Sequence, residues 1–100
     1  MQLGNQNIQL LKSFFADKPV IKAYLFGSYS RDDADENSDI DILLELDYSN
    51  LIGMEFIKMQ LDLEDLLRKK VDLLTEQSVS KYLKPYIEKE KKLIYERQAG

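Results

Sequence analysis

A chain of 100 residues can build one compact core and not two. Its composition, 44% hydrophobic and 32% charged, is that of a globular protein, and no apolar run nears the roughly 20 residues that a membrane-spanning helix needs. Cysteine and histidine are both absent and the net charge is −4, which excludes disulfides, His-based catalytic triads and zinc sites, and argues against a sequence-independent nucleic-acid binder. The start, Met1-Gln2-Leu3-Gly4-Asn5, lacks the basic and apolar regions of a secretory signal, so the expectation is a cytoplasmic protein without membrane or DNA partners. Chemistry must then come from carboxylates, hydroxyls, Lys and Arg, an inventory suited to hard cations such as Mg²⁺.

In chain order, Asn5 to Asp17 reads as a helix with Ile8, Leu11 and Phe15 on one face, closed by Pro19. Val20 to Phe26 reads as a strand stopped by Gly27, and Ser28 to Asp33 as a short helix opening from that turn. The acidic stretch Asp32 to Asn37 reads as a solvent-facing loop. Asp39 to Leu46 is a second strand, with Ile40, Ile42, Leu44 and Leu46 on one face and Asp39, Asp41 and Glu45 on the other. Leu51 to Lys69 is the strongest helix, because Ile52, Phe56, Met59, Leu63, Leu66 and Leu67 recur at helical spacing. Lys70 to Thr75 is a third strand, and a helical tail interrupted near Pro85 fills the rest from Val79, with Gln98-Ala99-Gly100 fraying. The predicted order α-β-α-β-α-β-α has no repeat or linker. It implies a single α/β domain over residues 1–100, a small mixed sheet of about three strands covered by helices.

Three features carry chemistry. Gly27-Ser28 sits where a strand gives way to a helix start: Gly permits a tight turn and close ligand approach, and free N–H groups there favour phosphate. Taken alone, that pair is also an ordinary turn. In Ser38-Asp39-Ile40-Asp41-Ile42 the two carboxylates share a strand face, roughly 7 Å apart, close enough to hold cations between them. A solvated edge-strand face explains many such patterns, but Asp is poorly suited to strands and like charges so near repel unless neutralised. Asp72 interrupts a third apolar strand between Val71 and Leu73. If that strand lies beside the Asp39–Asp41 strand, three acids meet next to the Gly27-Ser28 turn, the arrangement that two-metal phosphoryl transfer requires.

Gly27-Ser28-Tyr29-Ser30-Arg31, then Ser38-Asp39-Ile40-Asp41, then Asp72 resembles the nucleotidyltransferase superfamily of DNA polymerase β and kanamycin nucleotidyltransferase. The likeness extends to the minimal nucleotidyltransferases encoded beside HEPN-domain proteins, and it covers nearly the whole chain. Ser30-Arg31-Asp32 stands where many members carry Ala-Arg-Gly.

The resemblance implies an enzyme using two Mg²⁺ ions and ATP. Asp39, Asp41 and Asp72 would be metal ligands, with Asp72 also accepting the proton of the attacking hydroxyl. Gly27 and Ser28 would hold the β- and γ-phosphates, and Arg31 would neutralise triphosphate charge or pair with nearby acids. It further implies that the acceptor arrives on a separate protein, a tyrosine of a HEPN toxin that becomes AMP-modified and silenced. Tyr82, Tyr86, Ile87, Leu93 and Tyr95 are candidates to dock that partner, or to pack on the sheet. The alternatives are an antitoxin that neutralises its partner by contact alone, and a small-molecule nucleotidyltransferase with its acceptor pocket completed by a homodimer.

Overall fold

The computed structural model describes residues 4–29, 34–35, 37–48 and 53–97, Ser28 by its backbone alone. Helix α1 (Asn5–Ala16) turns Leu11 and Phe15 into the core, with Ile8 and Phe14 partly buried beside them. Pro19 ends the helical run and hands the chain to β1 (Val20–Phe26). A three-residue 3₁₀ turn, Gly27–Tyr29, follows β1 in place of the predicted longer helix, whose remaining positions 30–33 lie outside the described residues. The chain returns as β2 (Ile40–Leu46), then forms α2 (Gly53–Leu67) and β3 (Val71–Thr75). Thr75 and Ser78 stop β3 with a reciprocal cap: Ser78 N–H donates to Thr75 Oγ1 at 3.2 Å and Thr75 N–H to Ser78 Oγ at 3.0 Å.

The predicted helical tail is the main correction. Helix α3 (Lys84–Glu90) is short, and β4 (Lys92–Glu96) follows it, so the sheet among the described residues has four strands in the order β3-β2-β1-β4. β1 offers a free ladder edge, and β4 fills it antiparallel, with Ala23 opposite Tyr95 and Tyr24 opposite Leu93. Long-range pairing therefore overrides the local helical preference of a Lys- and Glu-rich segment. Pro85 lies in the first turn of α3, where its missing N–H costs nothing, so it opens a helix rather than interrupting one. Arg97 seals the strand end: its N–H reaches Ile21 O at 2.8 Å and its guanidinium meets Asp47 at 2.7 Å.

β1 runs antiparallel to both neighbours, while β2 and β3 are parallel and joined through α2 as a crossover. One sheet face carries the core. Ile40, Ile42 and Leu44 are fully buried with Leu11 and Phe15 of α1 and Met59, Leu63 and Leu67 of α2. Leu66, expected on that inner stripe, is exposed instead, and Ile52 lies outside the described residues. The opposite face is covered only in part, where Ile87 of α3 and Val79 close over the buried Leu43. No helix among the described residues is long and apolar enough to cross a membrane.

Candidate active site

β1 ends where β2 and β3 begin, so one end of the sheet gathers the start or finish of three strands. There Phe26 stands opposite Asp41, and Asp41 stands opposite Asp72, forming a row across adjacent strands. Ile40, Ile42, Val71 and Leu73 turn into the core. Strand alternation therefore puts Asp41 and Asp72 together on the opposite face. Asp39 precedes the first residue of β2 and shares that face by the same alternation. Asp39 and Asp72 are exposed and Asp41 is half-buried. Neither the Asp39 nor the Asp72 side chain makes a hydrogen bond or ion pair among the described residues.

Gly27 joins this row through its backbone. Its φ is +70°, and a Cβ there would run into the carboxylate of Asp41, lying 3.2 Å from Cγ. Only glycine combines the left-handed conformation with so close an approach. The following Tyr29 is buried at 3% exposure and anchors the turn in the core, with Lys69 Nζ 6.0 Å from its ring centroid. The Tyr29 hydroxyl has no hydrogen-bond partner among the described residues. Ser28 follows Gly27 in the turn, and Arg31 lies outside the described residues.

Three features that sequence reasoning missed set this geometry. Ser38 belongs to a tight turn with Asp35: Asp35 N–H donates to Ser38 Oγ at 3.0 Å and Ser38 N–H to Asp35 O at 3.1 Å. Asn37 N–H adds a bond to Asp35 Oδ1 at 2.9 Å, so the loop delivers Asp39 to the head of β2 in a fixed register. The i, i+3 spacing of Asp35 and Ser38 is a local signal that could have revealed this turn. Ile40 N–H donates to Lys70 O at 3.0 Å, locking β2 to β3 one step before the Asp41–Asp72 pair. Glu64 of α2 accepts the Val71 N–H at 3.1 Å, and no sequence signal marked that contact.

Among the described residues no three acidic side chains converge into a ready-made metal cage. The donor set nonetheless suits a hard cation: all-oxygen ligands, two of them on register-paired strands, beside a turn whose backbone approaches closely. Mg²⁺ is commonly bound by one or two carboxylates with substrate phosphates completing the shell, so a full protein cage is not required. Among the described residues a wide groove runs elsewhere, along Lys12, Ala16 and Leu93 to Arg97 at the β4 edge, and includes none of these acids.

Residues 9–99 match the family described as Polymerase beta, Nucleotidyltransferase. The chain belongs to this nucleotidyltransferase family. A provisionally named protein adenylyltransferase of Methanocaldococcus jannaschii is 41% identical over 88 residues, covering 84% of this chain and 85% of its own. A crystal structure of a toxin–antitoxin with AMP-PNP contains a chain that is 27% identical with a TM-score of 0.72, covering 95% of this chain and 76% of that one. A second complex joins a tri-AMPylated Shewanella oneidensis HEPN toxin to an MNT antitoxin; its matching chain is 25% identical with a TM-score of 0.69, covering 93% of this chain and 72% of that one.

In this nucleotidyltransferase Glu64 ties the α2 scaffold to the strand that carries Asp72. Glu64→Ala leaves a partly buried edge N–H without its charged acceptor and lowers stability by about 1–2 kcal/mol in urea unfolding. Hydrogen exchange at Val71 should accelerate more than at Leu44 in the strand next to it.

Proposed function

We propose that this nucleotidyltransferase moves AMP from ATP onto a hydroxyl of a partner protein, a tyrosine of a HEPN-type toxin, and so serves as the antitoxin of a toxin–antitoxin pair. The observation that carries the reading is the row Phe26–Asp41–Asp72 set against the Gly27 turn, an acidic patch and an anion cradle side by side. Its support from relatives is the likeness to provisionally named protein adenylyltransferases and to chains of toxin–antitoxin complexes, one with AMP-PNP and one with an AMP-modified toxin.

The backbone N–H groups of Gly27 and Ser28, with the Ser28 hydroxyl, bind the β- and γ-phosphates, and Arg31 joins them by its place in the motif. Asp39 and Asp41 would hold Mg²⁺ with the nucleotide, and Asp72 would complete a second site with them. Mg²⁺ there would polarise the phosphoryl oxygens and neutralise charge as pyrophosphate departs. Asp72, exposed on the row, accepts the proton of the incoming hydroxyl. The acceptor oxygen forms a bond to the α-phosphorus as the bond from that phosphorus to the bridging oxygen breaks, and pyrophosphate leaves.

The acceptor docks beside this row. Tyr82, Tyr86 and Leu93 are 75%, 69% and 51% exposed, whereas Ile87 is buried and Tyr95 packs partly into the core. Helix α3 packs Ile87 toward Leu43, on the sheet face that carries the acids, and Tyr82 and Tyr86 stay exposed beside and on that helix.

The test is transfer of label from α-³²P-ATP with Mg²⁺ to the protein encoded beside this gene. Label on a tyrosine of that protein is the expected result. A stable complex without label would replace the enzymatic reading with antitoxin action by contact, and labelling of an added small alcohol alone would point to a small-molecule acceptor.

A further inference from the structure

The outer line of α3 is apolar and basic at once. The chain enters the helix through a turn in which Leu83 N–H and Lys84 N–H both donate to Ser80 O at 3.0 Å, and Ile87 N–H then donates to Leu83 O at 3.0 Å. Tyr82 and Tyr86 therefore stand about one helical turn apart on one side, with Lys89 next along it, while Ile87 goes to the sheet. Tyr82, Leu83 and Tyr86 are all more than half exposed. Residues 80–92 hold five lysines against two glutamates, a net charge of +3 in a chain of net −4. Lys91 is used inside the fold, 3.0 Å from Glu88 and 4.2 Å from the Tyr24 ring centroid. Lys81, Lys84 and Lys89 are exposed and make no ion pair among the described residues, and Lys81 Nζ lies 5.4 Å from the Tyr82 ring centroid.

A merely solvated helix face gains nothing from two tyrosines and a leucine held in water, whereas amphipathic rings of this kind are the anchors that protein interfaces favour. The unpaired lysines beside them set the sign of what fits: carboxylates placed opposite gain, and cations are repelled. The acidic row on the same sheet face sorts further. An acidic segment is repelled by Asp39, Asp41 and Asp72 and drawn to α3, which holds it off the row and leaves its uncharged neighbours to face those acids. A nucleic-acid strand fits less well, because its charge is continuous and part of it would lie against the acids. We propose that Tyr82 and Tyr86, rimmed by Lys81, Lys84 and Lys89, dock an acidic segment of the protein that accepts AMP. This assignment deepens the protein-acceptor reading given above, on which it rests.

Fluorescence anisotropy of two short synthetic peptides tests it, the peptides sharing one tyrosine-leucine core and differing only in flanks of glutamate or lysine. The acidic peptide should bind the unaltered protein roughly tenfold or more tighter at low salt, with the gap narrowing toward about 0.15 M salt. Lys81→Glu/Lys89→Glu should reverse that order and Lys81→Arg/Lys89→Arg should keep it. Tyr82→Ala/Tyr86→Ala should weaken the acidic peptide by roughly tenfold, each variant keeping the unfolding midpoint of the unaltered protein. Equal binding of the two peptides, no binding of either, or a preference that survives charge reversal overturns the assignment. So does tighter binding of a short single-stranded RNA that is lost in the same variants. Binding is read without ATP. A protein that prefers the acidic peptide but transfers no AMP overturns the enzymatic reading and not this surface, whereas one that labels its partner and ignores both peptides overturns this surface and not that reading.

Discussion

Asp39→Asn/Asp41→Asn lowers AMP transfer by at least about 10³-fold, while the folded protein is as stable as the unaltered one or slightly more so. The loss follows from removing the anionic oxygens that would anchor the cations at the phosphate; roughly 4 kcal/mol of transition-state stabilisation corresponds to that factor. The stability expectation has a separate cause. Asp41 and Asp72 stand in register on adjacent parallel strands, and Asp39 is exposed on the same face with no side-chain partner among the described residues. Like charges opposite each other in a sheet are destabilising, so neutral amides of the same shape relieve the fold. Thermal unfolding with and without Mg²⁺ separates the two effects: added Mg²⁺ should raise the midpoint of the unaltered protein and leave the variant unmoved. A variant that transfers AMP at the original rate would remove these carboxylates from the mechanism.

The central half of the chain was legible because its signals are local and doubly encoded. β2 alternates Ile40, Ile42 and Leu44 against Asp39 and Asp41, and the structure buries the first set completely. Gly27 marked the end of β1 for reasons of turn chemistry, and its φ of +70° bears that out. The tail was not legible. Lys92-Leu93-Ile94-Tyr95-Glu96 forms a strand because β1 leaves an edge to be filled, a fact about residues some 70 positions away that no window of sequence contains. The same applies to the pairing of Asp41 with Asp72. Each Asp was visible in its own strand, but their adjacency depends on β2 and β3 being parallel neighbours, which the sequence left open. Glu64 belongs to this class too, since its role lies in accepting a single backbone N–H seven residues ahead.

These non-local facts have a common consequence: the acids occupy positions where the sheet gains little from them. Val71 and Leu73 hold β3 in place through the core, and Ile40 and Ile42 do the same for β2, so Asp72 faces outward and Asp41 lies half-buried on the opposite face beside Gly27. A fold secured on one face can carry repelling carboxylates on the other. The same arrangement also explains why the site is open rather than enclosed. The partial cover from α3 reaches Leu43, two residues beyond Asp41, and leaves the acids facing solvent or an incoming protein.

Gly27→Ala tests how tightly the turn and the acidic row are coupled. Two costs are expected. An alanine at φ +70° pays a backbone penalty of about 1–2 kcal/mol, and its methyl group displaces the Asp41 carboxylate, whose Cγ lies 3.2 Å from the new Cβ. Because Asp41 is a strand residue paired on both sides, with Phe26 and with Asp72, the carboxylate rather than the backbone must give way. A misplacement on the order of 1 Å in such a group costs roughly 10²-fold in rate, so transfer should fall by about that much even at temperatures where the variant stays folded. A double-mutant cycle with Asp41→Ala isolates the steric part. Removing the carboxylate empties the space the methyl needs, so Gly27→Ala should cost less stability in that background, the remainder being the backbone term. Equal costs in the two backgrounds would show that turn and carboxylate are independent, and the close approach of Gly27 to Asp41 would then have no part in building the site.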